Sequence, residues 1–152
     1  AQEIQVILAG KGPLEKKYRR LGEKLPNSIV MQFYEPERLI EILHMADLYV
    51  HTSDAEIEAM SCMEAFACGL VPVIASSSLS AAGQFALLDE SLFPVDDVDA
   101  LARRIDWWID HPAQLAKWGG TYAKHTKTNY SVESSVRKFV AMEREAIADN
   151  RR

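Results

Sequence analysis

Cysteine is nearly absent: Cys62 and Cys68 are the only two among 152 residues. They stand six positions apart on one predicted helix, a spacing that suits neither a metal site nor a redox pair. Both read as small buried hydrophobes of a reducing compartment, the usual behaviour of unpaired cysteine, and the cytoplasm is the expected location. The four histidines lack metal-like spacing, so no metal site is expected. Positive charge is in deficit, and a net charge of −5 leaves no electrostatic footprint for nucleic acid or an anionic membrane surface. No apolar run approaches the roughly 20 residues that span a bilayer, and no signal-peptide pattern opens the chain. Glycine and proline are sparse, at seven and six, and no repeat, low-complexity tract or linker-like stretch interrupts the chain.

What is present is ordinary globular composition, 48% hydrophobic and 26% charged. A chain of this length suits one domain, burying roughly 68–70% of its unfolded surface. "EIQVILAG" (3–10) reads as a β-branched strand turned by "GKGP" (10–13), and Leu14, Tyr18, Leu21 and Leu25 carry helical spacing up to Pro26. "SIVMQF" (28–33) is a second strand; "EPERLIEILHMA" (35–46) follows as a helix with Pro36 at its start. "DLYVHTS" (47–53) is a third strand, and the helix of "SDAEIEAMSCMEAFACG" leads to "LVPVIAS" (70–76), whose unbroken apolar character predicts a strand covered on both faces. A brief strand is expected near 91–94, then helices near 97–110, 112–128 and 131–148. Alternating strands and helices predict βαβ units, so the expected fold class is α/β, a doubly wound parallel sheet with a tail of C-terminal helices. The chain opens on Ala1 and is inside a strand almost at once. An open parallel sheet can begin so, and so does a segment of a longer protein.

Ligands of such sheets bind at the carboxyl ends of strands, where "GKGP" and "HTSDAE" (51–56) both fall. Glu56 and Glu64 lie eight positions apart beside an apolar strand. On one continuous helix that spacing is a rise of about 12 Å and a turn of about 80°. Two carboxylates so placed could face one groove and hold the two ends of an elongated ligand such as a nucleotide diphosphate sugar, its diphosphate near the free amides of the helix mouth. A carboxylate accepts two hydrogen bonds at once and so suits vicinal hydroxyls. Structural roles compete with this one. "SDAE" (53–56) matches a capping box in which Glu56 returns a bond to Ser53, and Glu64 could simply pair with a lysine or arginine. His51 and Thr52 read as lining residues. Trp107 and Trp108 fit packing of at least one ring better than a membrane anchor, and "KKYRR" (16–20) fits a solvated face.

The run from Val50 to Ala75, "VHTSDAEIEAMSCMEAFACGLVPVIA", resembles the Glu-x7-Glu signature of the retaining GT-B glycosyltransferases of family four (group 1). Ser53, Glu56, Glu64-Ala65 and Gly69 followed by Val71-Pro72-Val73-Ile74 occupy the matching positions. "VILAGKGPLEKKYRRL" (6–21) is similar to the family's strand and Gly-x-Gly-Pro turn, and "ERLIEILHMADLYVHTS" (37–53) to the helix and strand before the signature. The chain most resembles the branch that glucosylates lipids, the cholesterol and diacylglycerol α-glucosyltransferases, through "EIEAMSCME" (56–64), "SSLSAAGQFALLDESLF" (77–93) and "IDWWI" (105–109).

The resemblance implies a Rossmann-like half of a GT-B fold, the donor-binding domain, spanning 1–152 without its first strand and helix and without an acceptor-binding N-terminal domain. Glu56 would meet donor hexose hydroxyls at the reacting carbon as the catalytic carboxylate, and Glu64 the ribose diol. Ser53 marks the strand end, the amides of Glu58, Ala59, Met60 and Ser61 would approach the distal phosphate, and Gly10, Lys11 and Gly12 would line the nucleotide cleft. The substrate would be a nucleotide diphosphate sugar, with no cofactor and no metal required, because amides and basic groups carry the leaving charge. The acceptor is unspecified; the branch suggests a lipid, with peripheral association at the inner membrane face through the missing domain. Three departures stand out. Ile57-Glu58-Ala59 replaces the family's Gly-Phe-Gly, Gln84 replaces a later glutamate, and the family's Arg and Lys ahead of this segment have no counterpart. The competing expectation is a non-catalytic α/β interaction or receiver-like module, a poor match because Asp47 opens a strand instead of ending one.

Overall fold

The β-branched and apolar runs become short parallel strands in the computed structural model, which describes residues 3–150. These divide into two units, residues 1–42 and 43–152, with the division inside one helix.

In the first unit β1 (Ile7–Ala9) leads through α1 (Glu15–Gly22) to β2 (Val30–Gln32), and the two strands pair in parallel with Ile7 opposite Val30. Side-chain amides brace the strand entrances: Gln5 Nε2 donates to the Ser28 carbonyl at 2.8 Å, and Asn27 Nδ2 to that of Ile4 at 3.1 Å. Gly22 ends α1 where a Cβ would meet Ile29 Cγ1 at 2.5 Å, so glycine lets the chain fold back under that side chain. Helix α2 (Pro36–Met45) opens on its proline and carries the chain past the division.

The second unit holds β3 (Leu48–His51), β4 (Ala55–Glu56), α3 (Met60–Ala67), β5 (Val71–Ser76), β6 (Leu79–Ser80) and β7 (Leu92–Pro94). The all-parallel sheet has the order β3-β5-β7, with His51 opposite Ile74 and Ile74 opposite Leu92. Successive side chains of a strand point to opposite faces, and Val71 to Ala75 are all buried, so both faces of β5 are covered, as its apolar run predicts. Helices α4 (Val98–Asp110), α5 (Pro112–Tyr130) and α6 (Val132–Asp149) follow. Asp97 caps α4 by accepting the Ala100 N–H, Pro112 opens α5, and Ser131 caps α6 by accepting the Ser134 N–H. These are residues that favour helix starts. Helices α3, α4 and α5 all pack against β5.

The core is led by Trp108, Tyr122, Phe66, Ile74, Val71 and Val73. Trp108 is fully buried and its indole N–H reaches the Glu90 carbonyl at 3.2 Å; one tryptophan ring packs inside, as expected. Tyr122, stacked obliquely on Phe66, accepts the Leu87 N–H at 2.8 Å and donates to Ser91 Oγ at 3.0 Å. Cys62 is buried as expected, whereas Cys68 is only half-buried; both are unpaired. No helix among the described residues is long and apolar enough to cross a membrane.

One element differs from expectation. The helix predicted from Ser53 begins only at Met60, and Ala55–Glu56 instead form β4, paired in parallel with Leu79–Ser80 and continued by the Ala81 N–H to the Glu56 carbonyl at 2.8 Å. Glu, Ala and Met are strong helix formers, and here a tertiary strand pairing outweighs that local preference.

Candidate functional site

The late start of α3 remakes the geometry around Glu56. The helical rise that would separate it from Glu64 does not apply, because only 60–67 are helical. Nor does the capping box form. Ser53 Oγ donates to the Ala55 carbonyl at 2.8 Å, and the Glu56 carboxylate turns forward onto the loop that follows it. Its Oε1 accepts the Ile57 N–H at 2.9 Å and that of Glu58 at 3.4 Å. The Ala59 amide, first, and those of Ile57 and Glu58 hold the carboxyl below its ordinary 4.5. Ionised at neutral pH, it keeps acceptor capacity toward the cleft.

Ala59 carries the chain into α3 with φ 51° and ψ 41°, the left-handed region. That conformation costs a non-glycine residue about 1–2 kcal/mol, which explains a glycine at this place in the family pattern. Strain of this kind persists where surrounding structure over-determines it, and Ala59 is buried. The Cys62 and Met63 amides return to the Ala59 carbonyl. Those of Met60 and Ser61 have no acceptor among the described residues. They are the open donors of a helix mouth, where an anion is favoured.

An open cleft of about 690 Å³ runs over these groups, lined by residues 55–58, Met60, Ser61 and Leu79. Its size fits a small-molecule site. Three exposed apolar side chains rim it, Ile57, Met60 and Leu79, exposed by 88%, 60% and 72%. Another depression, of about 490 Å³ at Val95–Asp99, is lined by Asp96, Asp97 and Asp99, the wrong sign for a phosphate.

Beneath the cleft lies a polar row. The alternation of β3 places Tyr49 and His51 on one face. Tyr49 donates its hydroxyl proton to Ser61 Oγ at 2.9 Å, and its oxygen lies 3.2 Å from His51 Nδ1. Burial pushes the Tyr49 hydroxyl well above its ordinary value, and the Cys62 thiol up to about 11. His51 Nε2, buried and without a hydrogen-bond partner, sits 4.0 Å from Glu56 Oε2. Burial lowers the His51 pKa from 6.5, partly countered by Glu56.

Glu56, Glu58, Met60 and Ser61 are thus brought together in the cleft, with Ala59 beneath. Ser53 braces the loop. Glu64 stands exposed on the second turn of α3, is not among the residues that line the cleft, and makes no ion pair with a lysine or arginine among the described residues. Gly10, Lys11 and Gly12 belong to the first unit, where the Gly10 N–H bonds the Gln32 carbonyl at 2.9 Å and Lys11 Nζ lies 4.7 Å from the Phe33 ring centroid. A Cβ on Gly10 or Gly12 would meet nothing within 4 Å, so no neighbour demands glycine there. Gln84 is exposed in a 3-10 turn. Among the described residues, no group of three or more His, Cys, Asp or Glu is placed to hold a metal ion. Sequence reasoning missed Tyr49 and gave His51 only a lining role; their period-two spacing was the available signal.

The family model for glycosyl transferases of group 1 matches residues 1–126. Among solved structures, the chain is similar to the catalytic domain of cholesterol-alpha-glucosyltransferase from Helicobacter pylori, with 42% identity and a TM-score of 0.77. That match covers 82% of this chain and 78% of the other. Among curated proteins no relative is matched.

Proposed function

The chain belongs to the glycosyl transferases of group 1, and from that premise we propose that its second unit binds the activated end of a nucleotide diphosphate sugar for transfer of a hexose, glucose, to an acceptor hydroxyl with retention. The carrying observation is the pairing, in one cleft, of an ionised carboxylate at Glu56 with the unclaimed amides of Met60 and Ser61. The amides and the Ser61 hydroxyl meet the diphosphate, whose departing charge they stabilise without reorganising. Glu56 accepts from the hexose hydroxyls and fixes the reacting carbon, and Glu64, exposed and unpaired, accepts from the ribose diol. No metal is assigned a part, since the amides supply the positive end. Transfer would place the acceptor hydroxyl on the face from which the diphosphate leaves.

The apolar rim of Ile57, Met60 and Leu79 supports an acceptor with an apolar body, a lipid alcohol. The acceptor is held by a separate domain on this reading, and membrane contact belongs to that domain. The part of Gly10, Lys11 and Gly12 in nucleotide binding rests on the resemblance of the "GKGP" turn alone. Titration calorimetry with UDP-glucose tests the proposal. Glu64→Ala is expected to weaken binding by about 1.5–3 kcal/mol, the scale of a hydrogen bond to a charged group, with the melting temperature unchanged. Unchanged affinity with early melting would make Glu64 structural.

A further inference from the structure

The row Ser61–Tyr49–His51–Glu56 ends in a mismatch. With Tyr49 donating to Ser61 Oγ, its oxygen is left to accept, a pairing that would put the imidazole proton on Nδ1, 3.2 Å away. Nε2 then presents a bare lone pair to a carboxylate oxygen 4.0 Å away. Nε2 is shielded from solvent and unpartnered, and the His51 residue is only 8% exposed. Glu56 Oε2 still meets solvent, but the buried Nε2 is left unsatisfied, at a cost. A single proton on Nε2 resolves this, turning the gap into a charged hydrogen bond, for which the spacing contracts to about 2.7–2.9 Å.

We propose that His51 is a positioning residue for Glu56: when the diphosphate sugar fills the cleft, Nε2 takes one proton from solvent and the imidazolium clamps Oε2, locking the carboxylate against the hexose. This rests on the donor-binding reading above. The geometry supplies both halves of the trigger. The Glu56 side chain is 31% exposed in the open cleft, and a sugar over it removes the water that screens its attraction for His51. At the other end of the row, Ser61 still holds its own hydroxyl proton for a phosphate oxygen, and the incoming negative charge favours the imidazolium. The titratable groups facing the row are Glu56, Tyr49, Cys62 and Glu64. Tyr49 and Cys62 stay neutral because burial raises both, so His51 is the group left to change charge. No bond in the sugar is altered by this step.

The test is calorimetry of the full chain with UDP-glucose near neutral pH, in buffers of different ionisation enthalpy. Wild type is expected to take up as much as about one proton per donor bound. His51→Gln, which keeps an amide N–H but cannot titrate, should bind with no uptake, and His51→Ala should bind about tenfold more weakly. Without ligand, imidazole nitrogen NMR should find His51 protonated at Nδ1, and Glu56→Gln should lower the pH at which it gains its second proton. UDP-glucose binding with no proton uptake, or a free-state proton on Nε2, overturns the clamp while the donor reading stands. No binding of UDP-glucose at millimolar concentration overturns both.

Discussion

The two ends of α3 are built on opposite principles. At its mouth the chain enters through a left-handed alanine, no side chain caps the helix, and two amides stay open. At its far end the carbonyls of Glu64, Ala65 and Phe66 accept N–H groups from the closing turn. Gly69, at φ 84°, closes the helix by giving its N–H to Phe66 while the Leu70 N–H goes to Ala65, the Schellman pattern. Helix α5 then presses on that turn so closely that a Cβ on Gly119 would lie 2.3 Å from the Gly69 carbonyl oxygen. Glycine is spent where packing requires it and withheld where strain is tolerated. The difference separates a face made for stability from one left unsatisfied for a ligand.

The closed end should break most readily. Gly119→Ala gains about 1 kcal/mol of helix propensity but drives a methyl into backbone, and a net loss of about 2 kcal/mol or more is expected in denaturant unfolding. Its neighbour is the control: a Cβ on Gly120 meets nothing within 4 Å, so Gly120→Ala should stabilise by as much as about 1 kcal/mol. Tyr122→Phe, on the same side of α3, strands the Leu87 N–H and Ser91 Oγ and should cost about 1–3 kcal/mol by the same assay.

The open end should respond to pH. The folded state holds the His51 imidazole below its ordinary 6.5, so as pH falls through 6.5 the unfolded chain binds the extra proton first and stability declines. Glu56, held below 4.5, adds a second decline as pH falls from 4.5. Melting temperatures of His51→Gln across this range should lose the upper limb and keep the lower. The smallest effect is expected at Ala59→Gly, where relief of a left-handed alanine, less the entropy of glycine, should stabilise by about 0.5–1 kcal/mol.

The same contrast governs what could be read from sequence. The closed, apolar part was legible: β5 from its unbroken hydrophobic run, and α4, α5 and α6 as helices near 97–110, 112–128 and 131–148. Glu56 and Glu64 stood out by spacing and family resemblance. What escaped was the backbone between them. "AEIEAM" carries helical propensity, and only the pairing of Ala55–Glu56 with the distant Leu79–Ser80 makes it a strand and loop. The row under the cleft was also hidden, because a lone histidine beside a lone tyrosine declares nothing until β3 aims both toward Ser61 and Glu56.

Amide chemical shifts at both ends of α3 during titration with UDP-glucose distinguish a ligand-binding mouth from a closed, structural end. Large, saturable shifts are expected for residues 57–61, and none beyond background for Gly69, Leu70 and Gly119. Silent amides at 57–61 at millimolar ligand, or shifts confined to the closed end, would contradict that division.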